Sequence, residues 1–307
     1  MRVLLVGASG FIGKNLALKL PRTWNAVGTF NLNTDFPKFV AERDIGMQTV
    51  HLDLRDRSMV EKVLKKLGPF DACVYLAADN DTRQLIEHPR RDVENNVMPL
   101  LNILDFYQGG RFVYLSSGSV YTGLSGPVSP KTRVDPSLSF TIGRFSCERY
   151  VKCYARAKKN FDTFTIIRFF GAYGNLESPR KITPRLIQAL ANGREATFTI
   201  FGDGENYIDL MNVSDAAEAI LGITASKHTD LELDLCFGEH RTLNQYVETV
   251  AGLLKSEVKI RHEGKSLEYI RFYASTSQLT RTFGFKPRTG LREGVHEYAH
   301  ALFPARF

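Results

Sequence analysis

Short runs of Val, Leu and Ile alternate along the first half of the chain with amphipathic segments of helical length. Val3–Val6, Ala26–Phe30, Thr49–Leu52, Ala72–Leu76, Phe112–Leu115 and Thr163–Arg168 read as strands, because their apolar residues follow one another without the polar alternation of a half-exposed sheet. Gly13–Leu20, Ser58–Leu67 and Asn95–Phe106 read as the intervening helices. This rhythm predicts an α/β fold, a doubly wound parallel Rossmann sheet covered by helices on both faces. Beyond residue 170 the rhythm weakens. A Pro-containing stretch at 179–184, a Gly-rich turn at 202–204 and a short closing α/β pattern mark a smaller C-terminal α/β domain. Asp209–Val213 and Leu233–Cys236 read as buried strands that return to the first sheet. The expected division is 1–170 plus about 207–240 for the sheet domain, and 171–206 with 241–307 for the second.

Composition narrows the classes without naming one. With 307 residues, 43% apolar and 24% charged, the chain can bury a substantial core in one large or two packed domains, which excludes disorder and collagen-like repeats. No stretch reads as a membrane span, and the apolar Met1–Gly13 segment carries glycines and meets Lys14 too early for a secretory signal, so a cytoplasmic protein is expected. The net charge of +7 either attracts an anionic substrate or keeps the protein soluble. The basic doublets Lys65–Lys66, Arg90–Arg91 and Lys158–Lys159 lack interleaved aromatic residues and read as solvated helix faces, so no nucleic-acid partner is expected. Cys73, Cys147, Cys153 and Cys236 form neither Cys-x-x-Cys pairs nor metal-ligand spacings with histidines; they read as buried thiols, with no metal site.

The first strand runs directly into Gly7-Ala8-Ser9-Gly10-Phe11-Ile12-Gly13 and a helix. Glycine there permits the tight turn, the approach of backbone to a pyrophosphate and close helix–strand packing, while free N–H groups and the helix dipole favour the anion. Framed in this way by strand and helix, the pattern predicts a dinucleotide site, which makes the first domain NAD(P)-binding and the second substrate-binding. The position about 20 residues further on, where a carboxylate would bind the adenosine ribose, is Asn31, and no arginine stands there to clamp a 2′-phosphate; NAD or NADP remains open. Asp53, at the end of the third strand beside Leu54, is placed either to contact adenine or to cap the Ser58 helix.

These residues resemble the extended short-chain dehydrogenase/reductases, the NAD-dependent epimerase/dehydratase family that modifies nucleotide-linked sugars. The resemblance spans nearly the whole chain. It rests on the glycine turn, His51-Leu52-Asp53-Leu54, Tyr75-Leu76-Ala77-Ala78, Asn95-Asn96-Val97, Tyr114-Leu115-Ser116-Ser117-Gly118-Ser119-Val120-Tyr121, Ile167-Arg168-Phe169-Phe170-Gly171-Ala172-Tyr173-Gly174, Phe201-Gly202-Asp203-Gly204-Glu205 and Phe283-Gly284-Phe285-Lys286-Pro287. It implies hydride exchange between a nicotinamide and a sugar carbon, with Gly7, Ser9, Gly10, Phe11, Ile12, Gly13, Asn31, Asp53, Leu54, Leu76, Ala77, Ala78 and Asn96 at the cofactor. Ser117 would bond the reacting sugar oxygen, and Ser119 would lie nearby on the substrate. It also implies a homodimer paired through Asn95–Phe106 and Gly143–Lys159, with Arg144, Arg149, Lys152, Arg156, Lys158 and Lys159 on outer faces.

The chain departs from that pattern at the proton carrier. Counted from Ser117 and back from Arg168, the family's Tyr-x-x-x-Lys falls on Ile142 and Ser146, neither of which supplies a phenol or an ammonium. Tyr154 and Lys158 spell the same pattern one long step further along the helix, too distant to substitute. Tyr121 and Thr141 are the remaining candidates for the proton, against a packed aromatic and a helix N-cap. The dehydratase Asp-Glu pair is replaced by Gly118-Ser119, an asparagine by Gly171, and a diphosphate-binding arginine by Ile208; Arg185 and Arg271 are candidate replacements for that charge. Two readings stand: a nucleotide-sugar oxidoreductase or epimerase with a non-standard acid/base, or a catalytically inactive NAD(P)-binding sensor or structural subunit.

Overall fold

The computed structural model describes residues 1–191 and 195–307. Seven strands form one sheet: β1 (Arg2–Val6), β2 (Asn25–Phe30), β3 (Met47–His51), β4 (Phe70–Tyr75), β5 (Gly109–Ser117), β6 (Phe161–Phe169) and β7 (Leu231–Leu235), in the order β7-β6-β5-β4-β1-β2-β3. The pairings from β3 across to β6 are parallel, with Val3 opposite Ala26 and Ala72, and Tyr75 opposite Tyr114. The doubly wound sheet read from the apolar runs is therefore present, and each of those six runs lies in or against a strand. Helices Phe11–Leu18, Arg57–Leu67, Met98–Phe106 and Ser139–Cys153 link the strands. The apolar faces of the last three join Leu4, Val6, Tyr75, Phe112 and Tyr114 in one core, through residues such as Leu64, Ile103, Cys147 and Val151.

The chain leaves β3 and returns on the other side of β1 to make β4, so the crossovers diverge between β1 and β4. Loops at the C-terminal ends of two such strands turn away from each other and leave a crevice there, the usual ligand position in sheets of this kind.

The residues fall into two compact units. The first comprises Met1–Val120, Arg133–Phe169 and Ala217–Leu233; the second comprises Tyr121–Thr132, Phe170–Ala216 and Asp234–Phe307. Compared with the division read from sequence, Tyr121–Thr132, 207–216 and 234–240 group with the second unit. That unit has its own core, built from Leu186, Ile187, Tyr246, Val250, Val295 and Tyr298 on helices Ile182–Ala191, Leu243–Leu253 and Leu291–Leu302. Thr242 and Gln245 close a reciprocal capping box on the second of these helices.

Several elements differ from their sequence expectation. Asp209–Val213 is not a strand of the first sheet: Met211–Asn212 pairs with Ala172–Tyr173, and a helix begins at Val213. The reason is Asp209, whose buried carboxylate accepts the N–H groups of Phe237 and Gly238 and so ends the extended run. The helix expected over Asn95–Phe106 starts earlier, at Pro89, and passes through a wide π-type turn at Val93–Val97 before Met98. Cys153 is exposed rather than buried, whereas Cys73, Cys147 and Cys236 are buried. Among the described residues no helix is long and apolar enough to cross a membrane, and no cluster of His, Cys, Asp or Glu could hold a metal ion.

Candidate active site

Close contacts fix the glycine turn. Gly7 adopts a left-handed φ of 82°, and a Cβ there would stand 2.8 Å from the backbone of Ala77. Gly13 lies against Ala8, where a Cβ would meet the backbone at 2.5 Å, so the Phe11–Leu18 helix is drawn tight onto β1. The Gly7 N–H donates to Thr29 Oγ1 at 3.0 Å, and Asn33 Nδ2 donates to the Ser9 carbonyl at 3.0 Å. Gly10 is the N-cap of the helix, no side chain caps it, and the first turn holds no acidic residue. The leading N–H groups of Phe11 and Ile12 thus present partial positive charge at the β1/β4 crevice. Ser9 and Gly13 are buried, while Phe11 and Ile12 are half-buried.

Around the far end of this crevice, Asp53 takes Arg55 in a two-pronged pair, at 3.0 Å from Nε and 2.7 Å from Nη2. Asp53 therefore does not cap the following helix; Asp56 does, accepting the Met59 N–H at 3.0 Å. Hydrogen bonds from Arg55 hold the Asp53 carboxyl down at about 2, with Asn31 contributing another. Asn31 and Asp53 are thus neighbours, and Leu54 offers its carbonyl to Asn102 Nδ2 at 2.8 Å.

The β4 exit, Leu76-Ala77-Ala78-Asp79-Asn80, is pinned from behind. Leu76 N–H donates to the Val6 carbonyl, and Asn96 commits its whole amide to Asp79 and Asp92. Asn96 is buried and its amide fixes the loop. At the β5 exit the Ser117 Oγ accepts the Ser119 N–H at 3.1 Å, which leaves its own O–H to be donated elsewhere. The Ser119 hydroxyl is buried and has no hydrogen-bond partner among the described residues.

Neither alternative proton carrier is disposed as the sequence suggested. Tyr121 is fully buried and its hydroxyl donates to Asp234 at 2.9 Å, a packed aromatic in the second unit. Thr141 is not an N-cap. Helix Ser139–Cys153 is capped at Leu138, and the fully buried Thr141 hydroxyl donates to the Leu138 carbonyl at 2.8 Å. Tyr154 lies at the far end of the helix, bound to Asp105 at 2.7 Å.

The same helix carries residues that sequence reasoning missed. Ile142 is 46% exposed and Ser146 only half-buried, whereas Arg144, expected on the outer face, is 8% exposed. Arg144 Nη2 donates to Asn80 Oδ1 at 2.7 Å, and its guanidinium also bonds the Tyr114 hydroxyl. The Asp92 carboxylate rests against Gly143, where a Cβ would lie 1.8 Å from it, and burial raises its pKa. One turn beyond, Glu148 accepts Ser116 Oγ at 2.6 Å and grips Arg168 in a buried pair of 2.8 Å. The only signal for this in the sequence is the four-residue spacing of Phe140, Arg144 and Glu148.

In the second unit, Arg271 lies over the rings of Tyr207 and Tyr269, 5.6 and 5.1 Å from their centroids, and donates to the Glu205 carbonyl. Arg185 is exposed and lies over Phe198 at 5.3 Å. Ile208 packs against the core of this unit, and Gly171 has a φ of 130° with its Cβ direction blocked by Leu210 at 2.7 Å.

Residues 3–232 match the family model described as NAD dependent epimerase/dehydratase family. The chain is 25% identical over 307 residues, with 95% of each chain covered, to a putative UDP-glucose 4-epimerase of Methanocaldococcus jannaschii. It is 24% identical to a probable UDP-glucuronate 4-epimerase of Rhizobium meliloti, covering 97% of this chain and 96% of that one. Among solved structures, UDP-glucose 4-epimerase of Thermotoga maritima with UDP-glucose superposes with a TM-score of 0.88 at 20% identity, covering 98% of both chains. UDP-glucuronic acid 4-epimerase of Bacillus cereus, in complex with UDP-glucuronic acid and NAD, gives 0.84 at 22% identity and covers 99% of this chain and 100% of that one.

Proposed function

Because this chain belongs to the NAD dependent epimerase/dehydratase family, we propose that it binds NAD in the first unit and acts as an epimerase on a nucleotide-linked sugar. The observation that carries the reading is the bare helix N-terminus behind Gly7–Gly13 at the β1/β4 crevice, with Ser117 on the neighbouring strand end of the same sheet. The residues present fit a dinucleotide. A pyrophosphate needs backbone donors with no side chain above them, and Gly7 and Gly10 supply that clearance. Asp53, beside Asn31 at the end of β3, offers its carboxylate to the adenosine half of the dinucleotide. When bound, the nicotinamide supplies the hydride acceptor and donor, chemistry that no side chain here provides. Ser117 donates to the reacting sugar oxygen, and Ser119 adds a second hydroxyl to the substrate. In the second unit, Arg271 and Arg185 supply cationic contacts for the sugar's diphosphate, the charge that Ile208 lacks. The acid/base is non-standard, since Ile142 and Ser146 carry none and the hydroxyls of Tyr121 and Thr141 are bonded elsewhere.

Two copies would pair through the first unit's outer helices. Val93, Met98, Ile142 and Tyr150 expose 48%, 46%, 46% and 40% of their surface there, apolar area of the kind a dimer covers. A second reading, a cofactor-binding subunit without turnover, is favoured by the absence of a phenol and an ammonium at Ile142 and Ser146. The test is to denature the purified protein, identify the released dinucleotide by absorbance and fluorescence, and incubate the native protein with UDP-hexoses and UDP-hexuronates. Released NAD together with epimer formation supports the first reading; NAD without any sugar-dependent change supports the second. Failure to bind either pyridine nucleotide removes both.

A further inference from the structure

In the second unit, the segment between strand Ala172–Tyr173 and helix Ile182–Ala191 is anchored at both ends. On one side Tyr173 is buried, and its strand pairs with Met211–Asn212. Gly174 follows with a φ of 131°, and a Cβ there would stand 3.1 Å from Val213 Cγ1. On the other side Thr183 is buried, and its hydroxyl shares a hydrogen bond of 2.8 Å with that of Tyr246. Between these anchors Asn175, Ser178, Pro179, Arg180 and Lys181 are exposed, whereas Leu176 and Glu177 are half-buried.

Glu177 closes the segment into a ring. Its N–H donates to the Gly174 carbonyl at 3.1 Å, and its carboxyl accepts the Gly174 N–H at 3.3 Å. Three titratable groups feel the charge of that carboxyl: Lys181 on the same segment, Tyr246 of helix Leu243–Leu253 and Tyr298 of helix Leu291–Leu302. Burial pushes the Glu177 carboxyl up to about 7, against the opposing pull of the Gly174 N–H and Lys181. A neutral carboxyl suits this aromatic surrounding; an ionised one, given one long N–H bond, gains by reaching water through the exposed flank. Leu176 beside it adopts a left-handed φ of 68°, unfavourable for any residue with a Cβ, so the closed form also carries a backbone cost that release removes.

We infer that residues 175–181 form a proton-operated strap, closed while Glu177 is protonated beside Tyr246 and Tyr298 and released to solvent when that carboxyl ionises. Linkage gives the direction. The closed form binds the proton more tightly than the released one, so release grows as pH rises from the ordinary 4.5 of a glutamate to about 7. The Thr183–Tyr246 bond stops the motion at the start of the helix. Because the Lys181 carbonyl accepts the Arg185 N–H at 3.2 Å, release also loosens the first turn beneath Arg185. Any bearing on substrate rests on the role proposed for Arg185 above; the strap itself does not.

Hydrogen exchange of the full chain, followed by mass spectrometry without any ligand, tests the strap. After correction for the intrinsic exchange rate, opening of residues 174–181 is expected to grow at least tenfold from about pH 5 to about pH 7 and to level off beyond. Glu177→Gln is expected to change less than twofold over that range, because its amide cannot ionise, and helix Leu243–Leu253 is expected to show no such growth in either protein. No growth in the parent, equal growth in the variant, growth shared by that helix, or a segment already unprotected at the acid end overturns the inference. A second measurement keeps Glu177 in place. A nitroxide attached through Ser178→Cys, with Cys153→Ser removing the exposed native thiol, is expected to gain mobility over the same interval; an unchanged spectrum overturns the strap. UDP-sugar binding absent at every pH, with the exchange response intact, removes the role of Arg185 and leaves the strap standing.

Discussion

At the scale of single residues, the conformation of the glycine turn and the strand end at Ser117 were legible because they are local: a turn, a helix start and a strand end follow from adjacent letters. Gly7→Ala is expected to cost about 1–3 kcal/mol in urea unfolding, since its φ of 82° is unfavourable for alanine and Ala77 blocks the added carbon. Gly10→Ala meets only the Gly7 carbonyl at 3.5 Å, so its melting temperature should stay near that of the parent while NADH affinity, read by fluorescence, falls. If Ser117 bonds the reacting oxygen as proposed, Ser117→Ala should lower epimer formation about 10²-fold, with only a small loss in unfolding free energy from the Ser119 N–H that it leaves without its acceptor. Asp53 was less legible. Its candidate roles could not be separated until Arg55 and Asp56 were seen to divide the pairing and the capping between them.

At the scale of elements, strands were read well and one helix face was not. Phe140, Ile142 and Phe145 give helix Ser139–Cys153 apolar positions on more than one side, so periodicity alone does not select the buried stripe. The selection comes from tertiary partners far away in sequence, above all the Glu148–Arg168 pair, with side-chain exposures of 0% and 3%. Glu148→Gln leaves the guanidinium of Arg168 without its main counter-charge, and by analogy with other broken buried pairs should cost about 3–5 kcal/mol by equilibrium unfolding. Replacing both members by apolar residues of similar volume should recover much of that loss. The short Met211–Asn212 pairing was hidden for the same reason, because Asp209 is recruited by N–H groups at Phe237 and Gly238.

At the scale of the whole molecule, the two units titrate differently. In the second unit, burial pushes the carboxyls of Glu177, Asp209 and Glu268 up to about 7, 6 and 7. For an acid raised in the folded state, the folded chain binds the extra proton, so stability is greatest below the unfolded value and is lost as pH rises through the folded one. For Glu177 that window runs from its ordinary 4.5 to about 7. Glu177→Gln should therefore match the parent near the bottom of the window and exceed it above the top, by about 3 kcal/mol, measured as paired thermal unfolding across the range. The alternating α/β pattern showed that a second region existed, but not that a segment as early as Tyr121–Thr132 belongs to it. Membership there depends on contacts with residues after 170, such as the rings of Phe170 and Phe272 around Tyr121.

The chain passes from one unit to the other after Val120, Thr132, Phe169, Ala216 and Leu233. Neither unit is therefore encoded by an uninterrupted stretch of gene. A fragment ending near 170 would lack β7, leaving β6 as a raw edge open to unwanted strand pairing, and one beginning there would lack Tyr121. The two units of this protein cannot be exchanged by a single crossover with a relative; a hybrid must be spliced at several matched joints, or inherited whole.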